Sequence, residues 1–145
     1  MEFVLVGGLA AAIHGSSLTT RDVDVCCRFT IDNLMRIQHA FEDQHPVHRM
    51  RPDLPVALTP EMCGQLKNLS IKTDLGVIDC LGGVLIVGDF YEVLKHSLEL
   101  DLPVGKLRIL DLDTLIQAKK AMGRPHDLLT VKQLEAVKQS ATGGS

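Results

Sequence analysis

Three aspartates are the residues of this chain best suited to chemistry. Asp22 and Asp24 stand two apart in the run Asp22-Val23-Asp24-Val25-Cys26-Cys27, and Asp79 interrupts the apolar run Val77-Ile78-Asp79-Cys80-Leu81. Side chains alternate across a strand, so carboxylates at i and i+2 share one face, roughly 7 Å apart along the chain. Without a cation they repel, and one is pushed toward protonation. A divalent metal removes that conflict, and Mg²⁺ in particular is held by a few carboxylates plus substrate phosphates rather than by a complete protein cage. Asp79, from a neighbouring hairpin, completes such a site. Upstream, Gly7-Gly8 follows the apolar run Phe3-Val4-Leu5-Val6. A glycine turn between strand and helix lets the backbone approach a ligand, and the helix N-terminus offers N–H groups to an anion. Ser16 adds a hydroxyl that can bond a phosphate.

The set matches phosphoryl or nucleotidyl transfer assisted by one or two metal ions. Asp22 and Asp24 would hold the metals that bridge a triphosphate and an acceptor hydroxyl. Asp79 would hold the metal nearest the attacking oxygen and help remove its proton. An Asp-x-Asp pair alone more often marks a solvated strand end; the ordered combination of strand, Gly-Gly, helix, Asp-x-Asp strand and hairpin Asp carries the inference.

The elements that must position these residues follow from pattern. Phe3–Val6 reads as a buried strand, Leu9–Ile13 as a short helix closed by His14-Gly15, and Val23–Cys27 as a second strand with Asp22 at its mouth. Thr30 is a good N-cap for a helix carrying Ile31, Leu34, Ile37 and Phe41. Pro46, Pro52, Pro55 and Pro60 make residues 46–60 the least regular stretch, expected to be a flexible loop over a site, with a brief helix from Pro60 to Lys67. Residues 69–73 and 77–81 form an antiparallel hairpin around Asp74-Leu75-Gly76. A helix over 89–97 precedes a second strand pair, 98–102 and 106–110. Asp111 or Asp113 then caps a helix ended by Gly123, and Pro125 begins the last helix. The chain reads as one domain, 1–141, with a flexible tail at 142–145.

At 145 residues and 46% apolar content the chain is long enough for one core. Its net charge of −3 argues against bulk electrostatic binding of nucleic acid. Scarce aromatics argue against stacking platforms for single strands. No run approaches ~18 apolar residues and no signal peptide is marked, so no membrane role and a cytoplasmic location are expected. Cys26, Cys27, Cys63 and Cys80 lack zinc spacing and read as reduced, buried residues. His14 reads as a helix-ending side chain bonded to backbone. From Lys106 to Lys138, seven basic residues face four acidic ones. That excess suits either an anionic acceptor such as an RNA end or a solvated face of ion pairs.

Gly7-Gly8-Leu9-Ala10 through His14-Gly15, then Thr20-x-Asp22-Val23-Asp24, resembles the small bacterial nucleotidyltransferases of the DNA polymerase β superfamily. The closer likeness is to the branch holding the toxin halves of some abortive-infection and toxin–antitoxin pairs. It continues through Thr73-Asp74-Leu75-Gly76-x-x-Asp79-x-Leu81-Gly82 to Leu115-Ile116-x-Ala118-Lys119 and Arg124-x-x-Asp127. The resemblance implies an α+β nucleotidyltransferase fold: a mixed, mostly antiparallel sheet with helices packed on it and a small helical C-terminal part. It implies phosphate contact at Gly7, Gly8 and Ser16, and two Mg²⁺ (or Mn²⁺) on Asp22, Asp24 and Asp79. Lys119 and Arg124 resemble a Lys-x4-Arg element of the toxin branch, implying contact with the triphosphate or acceptor.

The implied activity is transfer of a nucleoside monophosphate from an NTP such as ATP to a hydroxyl of RNA, protein or a small molecule, with release of pyrophosphate. Domain size argues against a specialised drug-modifying enzyme, which usually needs a larger acceptor domain. Two departures matter. Relatives usually carry a helix before the first strand, so a second copy is expected to cover that strand in a dimer. Many also have Arg where Leu18 stands, which leaves one phosphate-facing charge fewer. The alternatives are a binding protein that has lost turnover, or a toxin-like enzyme silenced by an antitoxin-like partner.

Overall fold

The computed structural model describes residues 2–17 and 22–143. Leu18 and Thr20, and the expectations attached to them, lie outside the described residues.

Strand β1 (Phe3–Val6) is apolar throughout because it runs through the middle of a sheet; Val4, Leu5 and Val6 are all buried. The chain turns at Gly7 into helix α1 (Gly7–His14), and β2 (Asp22–Cys27) returns antiparallel beside β1 with Asp24 opposite Val6. Helix α2 (Ile31–Ala40) starts at Thr30, whose hydroxyl accepts the Asn33 N–H at 3.2 Å, a cap of about 1 kcal/mol. Its Leu34 and Ile37 are fully buried, each contributing about 1.5–3 kcal/mol. Next come β3 (Val47–His48), β4 (Arg51–Pro55) and α3 (Pro60–Cys63). The hairpin β5 (Asn68–Thr73) and β6 (Gly76–Leu81) follows, then a two-residue ladder, β7 (Gly83–Val84) with β8 (Gly88–Asp89). Helix α4 (Phe90–Lys95) leads to β9 (Ser97–Leu102), β10 (Gly105–Leu110), α5 (Leu112–Met122) and α6 (Pro125–Gly143).

Eight strands make one sheet in the order β4-β3-β5-β6-β2-β1-β10-β9. Among the described residues, β1 with β10 and β2 with β6 pair in parallel, and the other pairings are antiparallel. Helices α5 and α6 pack on each other and on α1. This is the expected α+β architecture.

Asp111 caps α5, accepting the Thr114 N–H at 2.8 Å, whereas Asp113 pairs with Lys138 at 2.7 Å. Gly123, at φ +69°, ends α5 in the left-handed region that suits glycine.

Several expectations are corrected. Residues 46–60 are not a structureless loop: β3 and β4 form a hairpin at the sheet edge. Pro52 and Pro55 are tolerated because β4 is the outermost strand, where a ladder donor is not required on both sides. Helix α3 stops at Cys63, short of Lys67. Helix α6 runs to Gly143, two residues into the expected tail. Strand β1 is buried within its own chain, with Val4, Leu5 and Val6 each at most 3% exposed. Six of the seven basic residues between Lys106 and Lys138 have acidic partners: Glu99 for Lys106 and Arg108, Asp127 for Lys119 and Arg124, Glu135 for Lys120, and Asp113 for Lys138. The basic excess is thus largely an ion-paired face.

All four cysteines are buried free thiols. Burial pushes the Cys26 thiol up to about 12, and the hydrogen bond that Cys80 shares with Cys27 raises the Cys80 thiol further. His14 Nε2 lies 2.8 Å from the Leu110 carbonyl, the backbone-bonded role expected of it. Among the described residues no helix is long and apolar enough to cross a membrane.

Candidate active site

The alternation of β2 sends Asp22, Asp24 and Cys26 to one face of the sheet, and its parallel register with β6 sets Asp24 directly opposite Asp79. Directly opposed residues of neighbouring strands share a face, so the register brings the three predicted carboxylates together. Burial is the first cause that raises the Asp24 carboxyl, to about 6. The charge of Asp79 and a hydrogen bond to it add to the rise, as does Asp22, while Lys119 opposes it.

Two residues that the sequence reading passed over complete this cluster. Ser70, opposite Asp79 on β5, donates its hydroxyl to Asp79 Oδ1. Arg49, in the turn between β3 and β4, places Nη1 3.2 Å from Asp22 Oδ2 and 3.4 Å from Asp79 Oδ2.

Gly7 is required by close approach. Its φ is +69°, and a Cβ there would lie 2.2 Å from Asp24 Oδ2. Glycine alone lets α1 begin against the carboxylate, with the N–H groups of its first turn pointing out of the helix. The residue before it, Val6, has no side chain to cap them.

Across a cleft of about 210 Å³ from Gly7 and Asp24 stand Lys119 and Arg124. The remaining walls are apolar, from Leu81, Val84, Leu85, Leu115 and Met122. Buried Leu115, Ala118 and Lys119 recur at helical spacing on α5, so the core-facing stripe itself carries the lysine inward. Asp127, fully buried on α6, holds both cations. Lys119 Nζ lies 3.3 Å from its Oδ1, and Arg124 Nε lies 2.5 Å from its Oδ2. The Arg124 hydrogen bond first, then Lys119, keeps the Asp127 carboxyl below the usual carboxylate range despite burial. With two cations against one anion, this wall keeps one net positive charge. The Arg-x-x-Asp spacing was the signal for Asp127.

Of the other predicted residues, Gly8 follows Gly7 in α1 but does not line the cleft. Ser16 is buried, and its hydroxyl donates to Gln133 Oε1 at 2.9 Å, on α6.

The donor set is carboxylate oxygen throughout, the hard ligands that suit Mg²⁺ or Mn²⁺. In ligand type, Asp22, Asp24 and Asp79 suit a divalent metal. Among the described residues no three such side chains are yet gathered into a ready-made cage; Arg49 lies between Asp22 and Asp79.

Comparison with solved structures gives two informative matches. The lincosamide antibiotic adenylyltransferase LnuA, with lincomycin bound, superposes with a TM-score of 0.61 at 14% identity, over 94% of this chain and 87% of that one. A protein of Thermotoga maritima, provisionally described as a nucleotidyltransferase, superposes with a TM-score of 0.52 at 17% identity, over 90% and 79%. No protein-family model matches the chain, and neither does any curated sequence. At these identities the matches show the fold, which is that of the nucleotidyltransferases.

Proposed function

We propose, from this nucleotidyltransferase fold, that the chain transfers a nucleoside monophosphate from an NTP to a hydroxyl acceptor and releases pyrophosphate. The observation that carries the reading is the convergence of Asp24, Gly7, Lys119 and Arg124 on one cleft, with Asp79 and Asp22 beside Asp24.

Asp22, Asp24 and Asp79 would hold Mg²⁺, or Mn²⁺ in its place. Bound there, the metal supplies Lewis-acid polarisation of the phosphoryl group and charge neutralisation. The chain's own groups do the rest. The N–H groups at the start of α1 would donate to phosphate oxygens at a helix terminus, and Gly7 leaves room for them to do so beside Asp24. Lys119 and Arg124, pre-oriented by Asp127, meet the triphosphate with their one net charge and are fixed before substrate arrives. The apolar walls from Val84, Leu85 and Met122 suit a nucleobase. Asp79, which accepts the Ser70 hydroxyl, would take the acceptor proton.

LnuA is an adenylyltransferase, so ATP heads the donors to be tried. The match over 87% of LnuA also removes the size argument against a small-molecule acceptor. Small hydroxyl compounds join RNA ends and protein side chains as acceptors.

The test is thermal melting with each NTP, with and without Mg²⁺, followed by pyrophosphate detection. Ligand at 100 times its Kd adds about 2.7 kcal/mol of stability. A Mg²⁺-dependent shift that Asp24→Asn abolishes supports the donor site, and acceptor-dependent pyrophosphate release supports transfer. A shift without turnover for any acceptor class favours a nucleotide-binding protein instead.

A further inference from the structure

We propose that Arg49 is a resident counter-cation of the carboxylate cluster, which a divalent metal must displace before Asp22 and Asp79 can serve as its ligands. The inference rests on the metal-dependent reading above.

A single nitrogen of Arg49 bridges carboxylates from two different strands, at 3.2 Å from Asp22 on β2 and 3.4 Å from Asp79 on β6. That is the place a cation must take to relieve the repulsion between them. The guanidinium reaches it from outside the cluster's own strands, from the turn between β3 and β4. Its backbone is fixed there by the Arg49 N–H, which donates to the Ser70 carbonyl at 3.1 Å. Ser70 also donates to Asp79, so the same β5 residue registers both the turn and the carboxylate.

The arrangement is exchangeable rather than structural. The Arg49 side chain is 43% exposed, and those of Asp22 and Asp79 are 34% and 22% exposed. Pairs this wet hold weakly, and a doubly charged ion with direct oxygen ligands outcompetes one guanidinium nitrogen. Displacement also has somewhere to go. Arg49 lines a recess of about 320 Å³ with Met50, Asn68, Ser70 and Asp79, distinct from the cleft that holds Lys119. The released side chain turns into that recess while its backbone stays anchored.

The test is Mn²⁺ binding by titration calorimetry to the full chain without nucleotide, comparing wild type, Arg49→Gln and Arg49→Lys. Removing a competitor worth the strength of an exposed pair tightens Mn²⁺ binding by about 1.5- to fivefold in Arg49→Gln. Arg49→Lys keeps the charge and stays near wild type. In thermal melts the metal-free Arg49→Gln protein unfolds at a lower temperature than wild type, and Mn²⁺ raises it by more. Equal or weaker Mn²⁺ binding in Arg49→Gln, with wild type binding measurably, overturns the role of Arg49 alone. Absence of Mn²⁺ binding in all three proteins overturns the metal reading, and this inference with it.

Discussion

Lys119 of α5 and Asp127 of α6 form an ion pair of 3.3 Å whose side chains are 7% and 0% exposed, and this pair ties the C-terminal helices to the cleft. Removing one member of a buried pair leaves an uncompensated charge in low dielectric, which typically costs 3–5 kcal/mol. Asp127→Ala should therefore destabilise the chain by about 3–5 kcal/mol in urea melts. Adding Lys119→Met should recover part of that loss. A double-mutant cycle measures the coupling.

Asp24 should make stability fall as pH rises. Its carboxyl titrates at about 6 in the folded chain against 3.8 for the unperturbed group. The native state thus binds the extra proton between those values. The penalty is absent below the lower value and complete above the upper one. At 1.36 kcal/mol per unit it reaches about 3 kcal/mol, with part relieved by solvent. Metal-free Asp24→Asn should accordingly be more stable than wild type by about 1–3 kcal/mol at pH 8, and the difference should vanish near pH 4. A pH-independent difference would locate the effect elsewhere.

Gly7→Ala should be severe. The added methyl must occupy space 2.2 Å from Asp24 Oδ2, at a φ that L-residues resist. The expected cost is at least about 2 kcal/mol, from strain and steric displacement together. Where the variant still folds, calorimetry should show Mg-NTP binding lost, because the carboxylate has moved. Gly105→Ala is the control: its φ is also positive, but nothing lies within 4 Å of a Cβ there.

The four thiols should be silent in the native state. All are buried, which shields them from reagents in solution. A maleimide or disulfide reagent should label none of them rapidly under native conditions and all four in denaturant. Fast labelling of Cys63 would show that the α3 region opens locally.

Much of this arrangement was legible in the residues because it is local or periodic. The Asp22-x-Asp24 alternation, the Gly7 turn and the hairpin that carries Asp79 each announce themselves within a few positions. The Thr30 cap and the Gly123 stop do likewise. Arg49 was not legible. It lies in a proline-rich stretch that reads as loop, and its place depends on β3 pairing with β5, with Val47 set opposite Lys72. No periodicity encodes a pairing across that separation. Ser70 was hidden for the same reason, since its role appears only once the register sets it opposite Asp79. The contact of Ser16 is long-range too: its hydroxyl donates to Gln133, far along the chain on α6.

The two prolines of β4 also bear on how the molecule behaves in company. An outermost strand with regular donors and acceptors is a template on which another chain can polymerise. At Pro52 and Pro55 the backbone has no N–H to offer, and residues 51–55 are all exposed. A second molecule trying to extend the sheet on that side finds an interrupted ladder. The stretch that spoils a loop-or-strand assignment from sequence is thus also a guard against aggregation, and replacing both prolines would remove that guard without touching the chemistry.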